Sequence, residues 1–379
     1  MNSNKISRHS FGRFVMAVAL FAILTSSAQP QTAVAQNPDE LLLNDFRPVS
    51  IYNVPRTEVK RARFPVIDVH SHAYARSLDE VVRWIANKDS ANIEKTVILT
   101  GATYDRLDSL MQVYGAYPDR FEVWCGIDVS DYRAPDYAQR AIRELERCQE
   151  TGGGGIGELS DKGWGVRSGD ATGAMEGDLP QFDDPALQPV LQRAGELGMP
   201  VNIHVADPIW MYEPMDETND GLMTSWRWRL DDRDDIKSHA EMMQVLENAV
   251  RNNPGTVFIA VHYANLTYDL DQLGRLLDTY PNLYADISAR YSEVANIPRF
   301  MKSFFEKYQD RLLYGTDLGY SLGMYRTTFR VLETEDEHFY DHAVFPRHWS
   351  LNGLGLPDEI LEKVYRKNAM ELFERLRNQ

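Results

Sequence analysis

The stretch Val66-Ile-Asp-Val-His-Ser-His72 points to the fold of this chain. Its apolar, β-branched residues are typical of a buried strand, and its polar end carries two histidines two residues apart. The same pattern, an apolar run followed by a loop and an amphipathic helix, returns repeatedly along the chain. It predicts eight strands, over residues 65–72, 95–101, 121–129, 154–160, 200–207, 256–264, 283–288 and 312–318.

Helical patterns follow most of these runs, including 79–87, 136–149, 186–197, 238–252 and 298–308. Because strands alternate with helices, we predict a parallel α/β sheet, and eight units favour closure into a (β/α)8 TIM barrel. The alternative is a doubly wound open sheet, which needs a nucleotide-type glycine motif after a strand. The glycine run at 152–155 instead precedes its strand, which indicates a turn.

The composition excludes one class of partner. The chain has 379 residues, with 40 Lys and Arg against 56 Asp and Glu, for a net charge of −16. A strongly acidic chain lacks the basic face that nucleic-acid binding requires, so we expect no nucleic-acid partner. Two cysteines are too few for a disulfide scaffold. We expect Cys125 and Cys148 to be separately buried thiols, although an oxidising compartment would allow them to pair.

The N-terminus has the pattern of a signal peptide. A basic segment precedes an apolar run at 14–24, and Ala33-Val-Ala35 supplies a cleavage pattern. The apolar run is too short to cross a bilayer of about 30 Å as a helix, which favours cleavage over an uncleaved anchor. We therefore predict a signal peptide over 1–35, an extended arm over 36–64 and the barrel over 65–379. We expect export, to the periplasm in a Gram-negative source, with no membrane span after cleavage.

Histidines and one aspartate stand where predicted strands end. His70 and His72 end the first strand, His204 the fifth, His262 the sixth and Asp317 the eighth. Side chains two apart on a strand point to one face, about 6.6 Å apart, so both imidazoles of the first strand reach one ion. Buried histidines with purely local roles would not gather at the carboxyl ends of strands, where barrel enzymes have their active sites.

Histidine nitrogens and one carboxylate are the ligands of a catalytic divalent ion, for which we expect Zn2+, with Mn2+ as the alternative. Such an ion keeps one position open for water or substrate, and it acidifies bound water. One of the four histidines need not be a ligand, because an imidazole that titrates near neutral pH can serve as general acid or base.

Several motifs give the chain a family resemblance. They are Ile67-Asp-Val-His-Ser-His72, the histidines of the fifth and sixth strands, Asp286-Ile-Ser-Ala-Arg290, Leu313-Tyr-Gly-Thr-Asp317 and the closing segment 364–373 with its Asn-Ala pair. Over about residues 64–376 the chain resembles the amidohydrolase superfamily, in the amidohydrolase-related branch that includes aminocarboxymuconate-semialdehyde decarboxylase. The resemblance implies that the metal ligands are His70, His72, His204 and Asp317, with His262 as the proton-transfer residue. In hydrolytic members the aspartate acts instead as general base toward the metal-bound water.

The end of the fourth strand departs from the pattern of binuclear members. Those often carry a carboxylated lysine or a glutamate there, bridging two ions. Glu158 is the better-placed residue for this role, and the alternative is a contact to a ligand or to the substrate. Lys162 falls in the loop beyond and is a candidate contact for an anionic substrate group, or a solvated lysine. Arg290, after the seventh strand, suits a substrate carboxylate or a salt bridge to an acidic loop.

Three functions fit this sequence. The first is a metal-dependent hydrolase of an amide, ester or lactone in a small exported-compartment substrate, with His262 stabilising the oxyanion and Asp317 transferring the proton. The second is a non-oxidative decarboxylase of an aromatic or unsaturated acid, with Arg290 holding the carboxylate. The third is a barrel that only binds its ligand. A homodimer is a further expectation, because barrel enzymes of this kind often form dimers, although no feature of the sequence marks an interface.

Overall fold

The computed structural model describes residues 37–168 and 179–378. The predicted signal peptide at 1–35 lies outside these residues. The strands are β1 Val66–Ser71, β2 Ile93–Leu99, β3 Phe121–Trp124, β4 Ile156–Asp161, β5 Arg167–Ser168, β6 Val201–Val205, β7 Phe258–Ala260, β8 Leu283–Asp286 and β9 Leu312–Leu313. All eight predicted strands are present, and the short β5 adds an antiparallel partner to β4. Most of the predicted strands end earlier than expected, because their last, polar residues are no longer paired with a neighbouring strand and belong to the following loops.

The strands close into a barrel. They form two parallel sheets, β1-β2-β3 and β4-β6-β7-β8-β9. A backbone bridge from Cys125 to Ile156 joins β3 to β4. On the other side, the N–H of Val69 donates to the carbonyl of Tyr314 at 2.9 Å, which joins β1 to the chain after β9. The doubly wound alternative is therefore wrong, and the (β/α)8 barrel is confirmed.

Helices surround the barrel. They are α1 Leu78–Ala91, α2 Tyr104–Tyr114, α3 Tyr137–Glu150, α4 Gln188–Glu196, α5 Leu222–Ser225, α6 His239–Asn252, α7 Leu270–Thr279, α8 Tyr291–Val294, α9 Pro298–Tyr308, α10 Leu322–Glu333, α11 Asp358–Glu362 and α12 Asn368–Arg377. The five helices predicted from periodicity are present as α1, α3, α4, α6 and α9. The start of α6 shows the local cause, since Ser238 and Glu241 form a reciprocal capping box. Among the described residues, no helix is long and apolar enough to span a membrane.

The barrel interior is an apolar core closed by the C-terminal helix. Ile67, Val69 and Leu99 from β1 and β2 belong to one cluster with Phe373 and Leu376 of α12. The indole of Trp124 on β3 meets the ring of Phe373 at 5.7 Å. Side chains fill the space inside the strands, so polar chemistry is confined to the end of the barrel where the strands finish.

The two cysteines form a disulfide, so the expectation of separate thiols is wrong. Cys125 follows β3 and Cys148 lies on α3, and a bond joins them. The physical reason is the packing of α3 back onto β3, which brings the two Cα atoms within 6.5 Å of each other. Both residues are buried. The sequence pattern predicts both elements but not which turn of the helix faces the strand.

The arm lies along a later segment of its own chain. Thr57 donates to Asp336 through its backbone N–H at 2.8 Å and its hydroxyl at 2.7 Å. Further up the arm, His342 Nε2 donates to the carbonyl of Pro48 at 2.9 Å. Residues 43–64 form no strand and only one short 3-10 turn, so side chains of the later segment hold the arm in place.

Replacing Asp336 by alanine is expected to release the arm and lower the free energy of unfolding by about 2–3 kcal/mol. Asp336 is buried and accepts hydrogen bonds from Thr57 and from the guanidinium of Arg330, so its loss removes the contacts that tie the arm to this segment. Urea unfolding measures the loss, and limited proteolysis should cut the arm of the variant faster. Exposed Glu335 is the matched control, and equal stability of Asp336→Ala and Glu335→Ala would contradict the prediction.

Candidate metal centre

Six ionisable side chains converge at the carboxyl end of the barrel strands. They come from five different strands or the turns that follow them, and they are His70, His72, Glu158, His204, His262 and Asp317. All six side chains are mostly or fully shielded from solvent. The strand ends therefore bring together the residues that the sequence singled out.

Two overlapping groups have the spacing of a metal site. The first is His70, His72 and Asp317, and the second is His70, Glu158 and His262; within each, the donor atoms lie within 4.8 Å of one another. Asp317 Oδ1 lies 3.0 Å from His72 Nε2 and 3.8 Å from His70 Nε2. His70 is common to both groups, so it lies at the centre of the site.

Glu158 lies between the histidines. Its Oε2 is 3.2 Å from His72 Nε2 and 3.6 Å from His70 Nε2, while its Oε1 is 2.5 Å from His204 Nδ1. This position is compatible with both roles predicted for Glu158, as a ligand or as a partner of ligands. His204 belongs to neither three-residue group, and its other nitrogen faces Asp207 at 3.1 Å. Its role as a metal ligand stays a prediction.

The residues present fit a divalent cation. His70 Nε2 is buried and has no hydrogen-bond partner among the residues that the structure describes. Ligand atoms about 2.0–2.1 Å from a tetrahedral zinc lie about 3.3 Å apart, close to the separations between the histidine nitrogens and the two carboxylates. Burial alone would lower the pKa of His72, but the hydrogen bond and charge of Asp317 outweigh it and raise the value to about 10. A bound cation would take the place of the protons that these carboxylates favour on the imidazoles.

Asp286 holds two of these histidines in place. Its Oδ2 accepts a hydrogen bond from His70 Nδ1 at 2.8 Å, and its Oδ1 accepts one from the backbone N–H of His262 at 3.0 Å. Burial opposes ionisation of Asp286, but the charge of His70 outweighs it and keeps the pKa of the carboxyl below its usual value. Carboxylates commonly orient metal-binding imidazoles in this way.

The two predicted substrate contacts have partners within the chain. The Arg290 guanidinium donates to Asn265 Oδ1 at 2.7 Å and lies 3.6 Å from Glu293. Burial and then the positive charge of Arg290 lower the pKa of His262, so the guanidinium acts electrostatically on the site. Lys162 Nζ lies 3.0 Å from Asp207 Oδ1. Contact of either residue with substrate stays a prediction.

Besides Asp286, sequence reasoning assigned no role to three further residues that touch the site. Tyr74 donates its hydroxyl hydrogen to Asp317 Oδ1 at 3.2 Å, Asp207 pairs with His204, and Ser288 lies against His262. Each stands within three residues of a residue that the pattern did select, or inside the motif at 286–290. The only signal in the sequence was that these residues are close to a strand end. Hydroxyl and carboxylate residues are common at strand ends, so this signal alone does not select them.

Comparison with models of protein families identifies the family to which the chain belongs. Residues 67–375 match the model of the amidohydrolase family named Amidohydro_2. The chain belongs to this family. The superfamily resemblance is therefore confirmed, whereas the closer resemblance to aminocarboxymuconate-semialdehyde decarboxylase stays a prediction. No curated protein matches this amidohydrolase.

Solved structures are similar to this amidohydrolase in fold. A protein from Staphylococcus aureus proposed to be an amidohydrolase has 16% identity and a TM-score of 0.52, covering 82% of this chain and 100% of its own. The 4-oxalomesaconate hydratase of Rhodopseudomonas palustris has 15% identity and a TM-score of 0.47, with 82% and 96% covered. A zinc-bound amidohydrolase of Burkholderia multivorans has 11% identity and a TM-score of 0.47, with 82% and 99% covered.

Replacing Asp286 by asparagine is expected to lower the affinity of this amidohydrolase for zinc by about 10–100-fold, because partners that orient metal-binding histidines have effects of this size. The amide keeps the volume but cannot accept from all the donors that now converge on the carboxylate. Competition with a chromogenic chelator measures the affinity. Asp161→Asn is the control, since Asp161 is buried but accepts from the backbone of Gly163 and Gly165. Equal affinities of the two variants would contradict the assignment.

Proposed function

We propose that this amidohydrolase is a metal-dependent hydrolase that cleaves an amide, ester or lactone bond of a small substrate. The observation that carries the proposal is the position of Asp317. One of its oxygens lies 3.0 Å from His72 Nε2 in the candidate metal group, and the other lies 3.6 Å from His262 Nε2. A carboxylate between an ion site and an imidazole suits the transfer of a proton from water.

His70, His72 and Asp317 would hold the ion, with Glu158 or His204 completing the set, and we propose Zn2+ for this position. When bound, such an ion would polarise the substrate carbonyl and lower the pKa of a bound water. The second group shares His70 Nε2 with the first, and one lone pair binds one ion, so a further ion would need Glu158 as a bridging ligand beside His262. An elemental analysis giving about one or about two zinc ions per chain would separate these arrangements.

The side chains divide the remaining tasks. Asp317 Oδ2 takes a proton from the attacking water and returns it to the leaving group. His262 Nε2, 3.6 Å away, shares that proton. A neutral His262 with its proton on Nδ1 accepts rather than donates at Nε2, so stabilisation of an oxyanion by this residue needs the charged ring. Arg290 orients a substrate carboxylate where the substrate has one.

The test of hydrolysis uses zinc-loaded protein and a panel of small lactones, esters and amides in 18O-labelled water. Hydrolysis predicts one labelled oxygen in the product acid, and the His262→Gln variant should form little of this product. Release of carbon dioxide from a carboxylated substrate without incorporation of label would overturn the proposal and select the second candidate.

That second candidate is a metal-dependent decarboxylase, and Arg290 is the observation that favours it. Its guanidinium is largely buried and its charge acts on His262, and among the described residues its carboxylate neighbour Glu293 lies 3.6 Å away. A substrate carboxylate would satisfy it, and His262 would protonate the carbon after loss of carbon dioxide. Arginine at this place also suits hydrolysis of a carboxylated substrate, so the labelling experiment decides between the two.

We also propose that the chain is exported and cleaved after residue 35. The disulfide between Cys125 and Cys148 supports this, since such bonds persist in oxidising compartments such as the periplasm. Sequencing the N-terminus of protein recovered from the periplasm should give Gln36 as the first residue. Recovery of uncleaved chain from the cytoplasm would contradict the proposal. The homodimer stays a prediction, which sedimentation of the same material tests.

A further inference from the structure

Ser288 lies between the two imidazoles at the centre of the site. Its hydroxyl oxygen is 2.7 Å from His262 Nδ1 and 3.0 Å from His70 Nδ1, and its backbone carbonyl is 3.1 Å from His262 Nδ1. The same hydroxyl contacts Asp286 Oδ1. Ser288 is fully buried, so water does not compete for these contacts.

The chemistry of these atoms determines which of them donates each hydrogen bond. The carbonyl of Ser288 can only accept, so a hydrogen bond from His262 requires the proton on Nδ1. The hydroxyl has a single hydrogen, and the Asp286 carboxylate is an acceptor only, so that hydrogen goes to Asp286. The hydroxyl oxygen is then left to accept from His262 Nδ1 as well. Both acceptors of Ser288 therefore favour the same tautomer.

The backbone presents the ring of His262 to Ser288. His262, Tyr263, Ala264 and Asn265 all have positive φ, between 54° and 59°. A run of left-handed residues without glycine is costly, and strain of this kind is retained where a side chain must be held in one place. The backbone N–H of His262 donates to Asp286 at 3.0 Å, so the turn is tied to the same carboxylate as Ser288.

We propose that Ser288 is a positioning residue that keeps the proton of His262 on Nδ1, so that Nε2 faces Asp317 as a proton acceptor. The proposal rests on the proposed function, in which His262 and Asp317 handle the proton. It adds a direction to that transfer, because the neutral ring can only receive a proton at Nε2 in the first step. Through Asp286, the same residue also links His262 to the ligand His70.

The first measurement is the tautomer of His262 in the wild-type protein, from long-range 1H–15N spectra of protein labelled on its histidine rings. The His262→Gln variant identifies the resonance by its loss. We expect Nδ1 protonated and Nε2 unprotonated, with and without added zinc. A proton on Nε2 of the neutral ring would overturn the proposal, whatever the reaction proves to be.

The second measurement compares Ser288→Ala with Ser292→Ala. Ser292 is equally buried but accepts from Arg347 and makes no contact with His262. In Ser288→Ala the nearer acceptor is lost, so we expect the Nδ1 resonance to shift toward that of a tautomeric mixture and turnover to fall at least about tenfold. Ser292→Ala should leave the resonance in place. An unchanged His262 spectrum in Ser288→Ala would overturn the proposal.

These measurements distinguish a failure of the proposed hydrolysis from a failure of the proposed role of Ser288. If the tautomer is as expected but no labelled oxygen enters the product, the proposed hydrolysis fails and the role of Ser288 stands. If hydrolysis is observed with Nε2 protonated, the role of Ser288 fails alone. Circular dichroism and zinc content of each variant exclude unfolding as the cause of a spectral change.

Discussion

Replacing His72 by alanine is expected to lower the affinity for zinc by on the order of 1000-fold and to abolish turnover, since even partners behind a ligand have effects of up to about 100-fold. His72 Nε2 lies 3.0 Å from Asp317 and 3.2 Å from Glu158, so its loss removes a donor atom between both candidate carboxylate ligands. Its Nδ1 already faces the carbonyl of Leu99 at 2.9 Å, which holds the ring in place.

Zinc content after gel filtration and chelator competition measures the effect. His348→Ala is the matched control, because that imidazole lies away from the site beside Asp220 and Trp349. A His72→Ala protein that keeps its zinc with unchanged affinity would mean that the ion binds elsewhere. In that case the two groups around His70 would be hydrogen-bond networks without a metal function.

The second large effect concerns stability. A double variant with Cys125→Ser and Cys148→Ser is expected to lose about 3 kcal/mol in the free energy of unfolding. The disulfide closes a loop with a sequence separation of 23 residues, and a loop of that size gives about this value in the chain-entropy account. Urea unfolding of the oxidised wild type against the variant measures the loss.

Treatment of the wild type with a reductant during unfolding is the control, and it should reproduce the lower stability of the double variant. Zinc content should stay unchanged, since neither cysteine touches the six site residues. Equal stabilities of variant and oxidised wild type would show that the packing of α3 on β3 holds the two elements together without the bond.

Much of the fold follows from local pattern. The apolar runs before His70, His204 and His262 predict strands because a strand buried on both faces reads as a continuous apolar run. Since parallel strands share one carboxyl end, the same pattern predicts that these histidines meet. The same rule predicts that Asp317, at the end of the last strand, lies beside these histidines.

Other features depend on contacts between distant segments. The pairing of Cys125 with Cys148 depends on which face of α3 packs on β3. The orientation of His204 toward Glu158 and Asp207 depends on a rotamer and on two partners, one in β4 and one in the loop after β6. A linear sequence gives positions along strands, but it does not give the direction in which a ring nitrogen points.

The apolar plug formed by α12 at one end of the barrel has a kinetic consequence. With Phe373 and Leu376 packed against the interior residues, nothing passes through the barrel, so the ligand that enters at the strand ends must leave by the same opening. In the proposed hydrolysis, every product leaves through the opening by which the substrate enters. We therefore expect product inhibition that is competitive with substrate.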